Sequence, residues 1–152
     1  MSHNVQQLNF EGARIGFRNF AGEEGPYNAK GDRSFVIFLE EDVARDLEKI
    51  GWNVKWPKAR DVADEEDTRQ PHLAVSVAMN NYPPKIVMIS GENTNLVAEE
   101  ELGMLDWVEI DNVDLVVRPY SWNVNGKSGI KAYLKAIYVT IKTDMFVDKY
   151  GI

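Results

Sequence analysis

Two stretches near the end of the chain, residues 113–122 and 130–141, alternate between apolar and polar side chains. A period of two is typical of β-strands that bury one face and expose the other. The segment between them, residues 123–129, is rich in Asn, Gly and Ser, which favour turns. The sequence therefore predicts a hairpin of two long strands, and this hairpin restricts the chain to folds that are built on an antiparallel sheet.

The facing strands of this hairpin have an unusual composition. Between Arg118 and Lys135 the chain carries four cations, three large aromatic residues and no carboxylate. Strand parity brings the cations and rings to the face opposite the apolar residues. That face is predicted to carry Arg118, Tyr120, Trp122, Lys131, Tyr133 and Lys135. Cations attract phosphates, and flat rings stack on unpaired bases at about 1–3 kcal/mol per base, so the pattern favours single-stranded nucleic-acid binding.

The net charge of the whole chain, taken alone, argues against nucleic-acid binding, because 24 acidic and 17 basic residues give a net charge of −7. Attraction of a ligand depends on the local field at a groove rather than on the total. At cell salt, screening over about 8–10 Å also separates the faces of a small domain. A segregated basic face is therefore compatible with an acidic protein. The alternative is an ordinary solvated face, since exposed strands often carry Lys, Arg and Tyr.

The remaining sequence predicts further short strands at residues 13–20, 33–39, 72–79 and 85–90. A helix is expected at residues 40–50, capped by Gly51, with Val43, Leu47 and Ile50 as its apolar stripe. A short helix or turn is expected at residues 99–105. Because strands and helices do not alternate, a doubly wound sheet is disfavoured and a small closed or partly closed barrel is predicted.

The first of these strands also has one apolar and one basic face. Alternation places Ala13, Ile15 and Phe17 toward the core. It places Arg14, Gly16, Arg18 and Phe20 on the opposite face, with Gly16 at a bend or bulge. Further candidate contacts lie in loops, turns and strand ends. These are Lys30, Arg33, Lys55, Tyr82 and Lys127.

Several classes of active site are absent from the sequence. The chain has no cysteine and only two histidines, too few nitrogen or thiolate ligands for a typical zinc or iron centre. The fingerprints of P-loops, dinucleotide sites and nucleophile elbows do not occur. Three carboxylate runs suit helix starts or a solvated loop, with a Mg²⁺-dependent nuclease as the alternative. We expect no enzyme activity, no metal and no cofactor.

The expected setting is the interior of a cell. The sequence contains no apolar run near the ~20 residues that span a bilayer. The N-terminal residues are polar and do not follow the pattern of a signal peptide. We expect a single domain over residues 1–152, with a mobile acidic loop near residues 60–71 and a short C-terminal extension at residues 142–152.

Five short segments together resemble the bacteriophage single-stranded DNA-binding proteins that have an OB-fold. They are residues 15–20, 31–35, 51–56, 113–120 and 126–134, and the resemblance runs from about Ala13 to Ile141. It implies a mainly β, five-stranded OB-fold Greek-key barrel with one or two short helices and extended hairpins. It also implies sequence-tolerant binding of single-stranded DNA during phage replication, recombination or repair in the host cytoplasm.

The resemblance carries a set of predicted contacts and partners. Family-type positions on three strands match Arg14, Arg18, Arg118, Tyr120, Trp122, Lys131, Tyr133 and Lys135. Many proteins of this kind end in a long acidic tail that recruits partners, whereas this chain ends in a short mixed segment. Phage or host replication and recombination proteins are the expected protein partners. The alternative function is a structural or protein-interaction β-barrel of a phage with no nucleic-acid role.

Overall fold

The computed structural model describes residues 6–26, 28–57, 70–80 and 82–142. Its strands are β1 (Leu8–Phe10), β2 (Arg14–Asn19), β3 (Arg33–Phe38), β4 (Val54–Lys55), β5 (His72–Val77), β6 (Lys85–Ser90), β7 (Asn93–Leu96), β8 (Ile110–Val124) and β9 (Lys127–Ile141). The helices are α1 (Glu41–Ile50) and a 3₁₀ helix (Glu99–Asp106). The predicted acidic loop lies outside the described residues except for Gln70 and Pro71, and so does the C-terminal extension except for Lys142.

The strands form one mixed sheet with the order β1-β8-β9-β5-β3-β2. The contact between β5 and β9 is parallel, and the other contacts along this path are antiparallel. A backbone hydrogen bond of 2.8 Å from Ala13 N to Val113 O joins β8 to the chain just before β2. The arrangement is an OB-like β fold.

The predicted mainly β fold with short helices and extended hairpins is confirmed, but the described residues contain nine strands rather than five. Five strands, β2, β3, β5, β9 and β8, follow one another along the sheet. The other four are additions at its margins: β1 pairs with β8, β4 with β5, β6 with β9, and β7 with β6. Short segments of two to four residues account for three of these additions.

The long hairpin is confirmed and is longer than predicted. β8 and β9 each contain 15 residues and pair as far as Val124 and Lys127. Asn125 and Gly126 form the turn, both with positive φ, which is the conformation of a tight two-residue hairpin. Alternate residues of the hairpin, including Val117 and Leu134, are buried in the core. The opposite face of the hairpin is therefore available at the surface.

Helix α1 ends at the predicted cap, where Gly51 N donates to Leu47 O and Glu48 O at 3.1 and 3.0 Å. Its buried residues are Ala44 and Leu47. Val43 and Ile50 are exposed, so the predicted apolar stripe is wrong at these two positions. The cause is that the helix meets the core along the narrow face that Ala44 and Leu47 define.

The predicted faces of β2 are also wrong beyond Gly16. The register with β3 shifts between Gly16 and Asn19, and Phe17 within this bulge has a φ of 46°. The extra residue of a bulge reverses the alternation of the side chains that follow it. Phe17 is consequently 76% exposed, whereas Phe20 is fully buried and stacks on Phe35 at 5.2 Å between ring centroids. Phe20 therefore lies in the core and not on the predicted DNA-binding face.

Within the part of the chain that the structure describes, there is no helix that is both long enough and apolar enough to span a membrane.

Candidate nucleic-acid interface

The outward face of the sheet is built from strand residues that alternate with the buried residues of the core. Cross-strand partners lie on the same side of a sheet, so the pairing defines rows across this face. Ser34 pairs with Ser76, Ser76 with Tyr133, and Tyr133 with Arg118. This row runs from β3 through β5 and β9 to β8, and it joins the hairpin to the middle of the sheet through small polar side chains.

A cluster of two cations and two aromatic rings stands at the hairpin end of this row. Arg118 Cζ lies 5.0 Å and Lys131 Nζ 5.1 Å from the centroid of the Tyr133 ring. The Tyr120 ring meets the Tyr133 ring edge-on, with centroids 5.8 Å apart and an angle of 80°. We call Arg118, Tyr120, Lys131 and Tyr133 the Tyr133 cluster. Its members are four of the residues that the sequence predicts as DNA contacts.

The Tyr133 cluster separates two chemical roles. Both cations lie within the ~6 Å range in which a ring attracts a positive charge, so Tyr133 holds them near the surface. Tyr120 is 54% exposed and is the more accessible ring for an incoming flat group. The arrangement can therefore bind phosphates at Arg118 and Lys131 while a base stacks on Tyr120.

Trp122, also a predicted contact, continues this face along β8. It pairs with Gly129 of β9, and a Cβ on Gly129 would lie 2.8 and 2.9 Å from two atoms of the indole ring. The missing side chain of Gly129 lets the indole lie against the backbone of β9. Trp122 is half-buried as a result and extends the aromatic surface beyond Tyr120.

A groove of about 450 Å³ opens beside the Tyr133 cluster. Its lining includes Ser34, Ser76, Lys131 and Tyr133, but also Asp32 and Glu99. Arg33, another predicted contact, lines the same groove. Its Nε donates to Phe20 O at 2.8 Å, and its Nη1 lies 3.6 Å from Glu99 Oε1. The structure therefore brings Arg33 to the groove with part of its charge already paired to a carboxylate.

Arg18 lies against the 3₁₀ helix. Its Nη1 donates to Leu105 O at 2.8 Å and to Val108 O at 2.9 Å. On the neighbouring backbone, Asp106 accepts hydrogen bonds from Phe20 N at 2.7 Å and Ala21 N at 3.1 Å. These four bonds fasten the end of the helix to the end of β2. Arg18 therefore has a structural role, whereas the sequence predicted only a phosphate contact.

The other predicted contacts are distributed around the sheet. Arg14, Lys30, Lys55 and Lys127 are exposed, and Tyr82 is exposed beyond the end of β5. Lys135 is exposed, and its Nζ donates to Gln7 Oε1 at 2.8 Å. Of this group, Arg14 and Lys55 belong to one row of the outward face, because both pair with residues of that row.

Sequence reasoning missed three aromatic residues at this second row: Phe38 and His72 lie within it, and Phe17 lies beside it in the bulge of β2. Phe17, Phe38 and His72 have ring centroids 6.2 to 6.4 Å apart. Phe38 pairs with Arg14 on one side and with His72 on the other, and His72 pairs with Lys55. We call Phe17, Phe38 and His72 the Phe17 cluster. The signal available in the sequence was Gly16, whose bend places Phe17 outside the core.

Comparison with known proteins assigns the chain to a family. A family model described as "Putative phage ssDNA-binding domain" matches residues 1–152. The chain belongs to this family. A search of curated proteins finds no match. The family is defined by binding and not by a reaction, in agreement with the expectation that the protein is not an enzyme.

Solved structures of a phage protein share the fold. The single-stranded DNA-binding protein from bacteriophage Enc34 in complex with ssDNA has a TM-score of 0.57 and 12% identity, over 91% of this chain and 88% of that chain. A C-terminal truncation of the same protein gives 0.55 and 12%, over 91% and 87%. A third Enc34 structure gives 0.52 and 15%, over 91% and 83%. Identities this low establish a common fold, and the residues of the interface have to be argued from this chain.

Among the described residues of this family member, no group of three or more His, Cys, Asp or Glu side chains is arranged to hold a metal ion. The groove beside the Tyr133 cluster contains Asp32 and Glu99, but Glu99 faces Arg33.

The hydrogen bonds of Arg18 lead to a testable prediction. Arg18→Ala is expected to lower the free energy of unfolding by about 1.5–3 kcal/mol, because it removes hydrogen bonds from a charged donor that is partly buried. Chemical denaturation measures this change. Arg14→Ala, four positions earlier on the same strand, is the control and should change stability by less than about 0.5 kcal/mol. Unchanged stability in Arg18→Ala would contradict the structural role.

Proposed function

We propose that this protein binds single-stranded DNA across the outward face of β2, β3, β5, β9 and β8, without strong sequence preference. The observation that carries the proposal is the Tyr133 cluster, in which two cations are held 5.0 and 5.1 Å from one ring beside an exposed Tyr120. Duplex DNA hides the faces of its bases, so exposed rings favour an unpaired strand. Membership in a phage ssDNA-binding family supports the same ligand.

Sequence tolerance follows from the groups that are present. Every base has a flat face that can stack on Tyr120, and every nucleotide has a phosphate that Arg118 or Lys131 can neutralise. Specific reading of a base needs placed donors and acceptors at its edges. The hydroxyls of Ser34 and Ser76 lie in the groove, but side chains of this type bind any base or backbone and do not distinguish one sequence.

The same proposal includes a biological setting. In a phage-infected cell, unpaired strands arise during replication, recombination and repair, and the protein would protect or organise them in the host cytoplasm. Phage or host proteins of these processes would be its protein partners. The family assignment supports the phage context, and the predicted contacts Lys30, Lys55, Tyr82, Lys127 and Lys135 would extend the interface beyond the Tyr133 cluster.

Titration of fluorescently labelled oligo-dT and of a matched duplex at two salt concentrations tests this function. We expect tighter binding of oligo-dT than of the duplex. Four exposed or half-buried cations of the outward face, Arg14, Lys55, Arg118 and Lys131, would contribute about −3 to the slope of the logarithm of affinity against the logarithm of salt concentration, and phosphate contacts from Lys30, Lys127 or Lys135 would make it steeper. Absence of binding at low salt, or equal affinity for the duplex, would favour the structural β-barrel instead.

A further inference from the structure

We infer that the Phe17 cluster is a second nucleotide-binding subsite, with Phe17 as its stacking ring and with Arg14 and Lys55 as its phosphate contacts. The inference deepens the proposed function and rests on it. It assigns a role to Phe17, Phe38 and His72, which fall outside the contacts predicted from the sequence. It also places DNA contacts at both ends of the outward face.

The exposure of Phe17 is the first observation. A phenylalanine that is 76% exposed leaves most of its apolar surface in water, and grouped exposed aromatic residues usually mark a binding surface. Its φ of 46° is uncommon for a bulky side chain, and such backbone conformations concentrate at binding and active sites. The bulge in β2 therefore maintains an unfavourable conformation whose effect is to present this ring.

The supporting rings are held in place by the sheet. A Cβ on Gly16 would lie 2.5 and 2.7 Å from two atoms of the Phe38 ring, so the absence of that side chain lets the ring lie on β2. Phe38 and His72 are half-buried, and their centroids lie 6.2 and 6.4 Å from that of Phe17. Phe17 is the exposed member of a group whose other two rings are fixed by packing.

Cations flank the cluster on both sides. Arg14 pairs with Phe38, and Lys55 pairs with His72 across the adjacent strands. Since cross-strand partners share a face, the row reads Arg14, Phe38, His72, Lys55 on the outward side of the sheet. Both charged residues are exposed. The order of cation, rings and cation repeats the chemistry of the Tyr133 cluster.

The distance between the clusters suits one continuous strand. Ser34 lies in the row of Tyr133 and Phe38 in the row of the Phe17 cluster, four residues apart on β3. At about 3.3 Å per residue the two rows are about 13 Å apart along the strands. Three strand spacings of about 4.8 Å separate β9 from β2, so the two clusters lie about 20 Å apart. The side chains between them on this face, Val36 and Ala74, are small or medium in size. Binding of about 4–16 nucleotides is usual for one OB-fold, so a bound strand can reach both clusters.

Binding of labelled dT₁₆ by wild type and three Phe17 variants tests the inference. Phe17→Ala and Phe17→Leu both remove the flat ring and should weaken binding about 5- to 100-fold, which is the range for one stacked base. Their salt slopes should match that of wild type, because no charge is lost. Phe17→Trp retains a flat ring and should bind within about threefold of wild type. Trp107→Ala is the control and should leave binding unchanged. Trp107 is at least as exposed as Phe17, at 81%, but it follows the 3₁₀ helix and belongs to neither cluster.

A second arm tests the cations and the location. Lys55→Ala should reduce the salt slope by about 0.7, the contribution of one phosphate contact on a single strand. A dT₁₆ strand that carries 5-iodouracil should crosslink on irradiation to peptides that contain Phe17 or His72. If wild type binds dT₁₆ and both Phe17→Ala and Phe17→Leu bind it as tightly as wild type does, the inference of a second subsite is wrong while the proposed function stands. If wild type itself does not bind, both are wrong.

Discussion

Replacing Tyr133 with alanine is expected to weaken binding of oligo-dT by about 10- to 100-fold and to flatten its salt dependence. The ring of Tyr133 holds Arg118 and Lys131 at 5.0 and 5.1 Å and contacts Tyr120 edge-on. Its loss removes cation–ring contacts of about 0.5–2 kcal/mol each and leaves both cations free to move away from the phosphates. Anisotropy titrations at several salt concentrations measure affinity and slope together.

Tyr120→Ala is the matched comparison for this prediction. It removes the exposed ring of the same cluster. The two cations, Arg118 and Lys131, lie over the ring of Tyr133 and not over that of Tyr120. Affinity should fall by the 1–3 kcal/mol of one stacked base, and the salt slope should stay unchanged. Tyr133→Phe keeps the ring and should behave as wild type in its slope. Equal slopes in Tyr133→Ala and Tyr120→Ala would show that Tyr133 does not position the cations.

Replacing Phe20 with alanine is expected to lower the free energy of unfolding by about 3–5 kcal/mol. Phe20 is fully buried and stacks on Phe35 with an angle of 19° between the rings. Truncation removes its apolar contacts and leaves a cavity, because the closely packed core relaxes only in part. Denaturation with urea, followed by circular dichroism, measures the change in stability.

Phe17→Ala, three positions earlier, is the control for Phe20→Ala. Phe17 is 76% exposed, so its removal should change the free energy of unfolding by less than about 0.5 kcal/mol. The strand pattern of the sequence predicts the reverse, with Phe17 in the core and Phe20 outside. A larger loss of stability in Phe17→Ala than in Phe20→Ala would therefore contradict the bulge in β2.

The contrast between the two ends of the outward face shows what strand alternation can predict. In the hairpin, the pairing from Arg118 to Tyr133 and on to the turn is regular, so parity in the sequence gives the correct outward face. In β2, the bulge between Gly16 and Asn19 reverses the faces. A bulge depends on the partner strand and on one residue with positive φ, and alternation along a single strand does not encode either.

Other differences arise from contacts between distant segments. The partners of Arg18 are carbonyl groups of Leu105 and Val108, which lie 87 and 90 residues along the chain. Phe38 belongs to a nearly continuous apolar run, so its outward direction is hidden in the sequence. His72 gains its place beside Phe38 only through the pairing of β3 with β5. The Phe17 cluster is therefore a product of the sheet and not of any one segment.

Amide NMR of the ¹⁵N-labelled protein during titration with oligo-dT tests most directly whether the outward face of the sheet binds single-stranded DNA. We expect the largest shift changes at Ser34, Ser76, Tyr120 and Tyr133, with a second group at Phe38 and His72. Changes confined to β6 and β7, or no change at saturating oligo-dT in low salt, would contradict binding at the outward face.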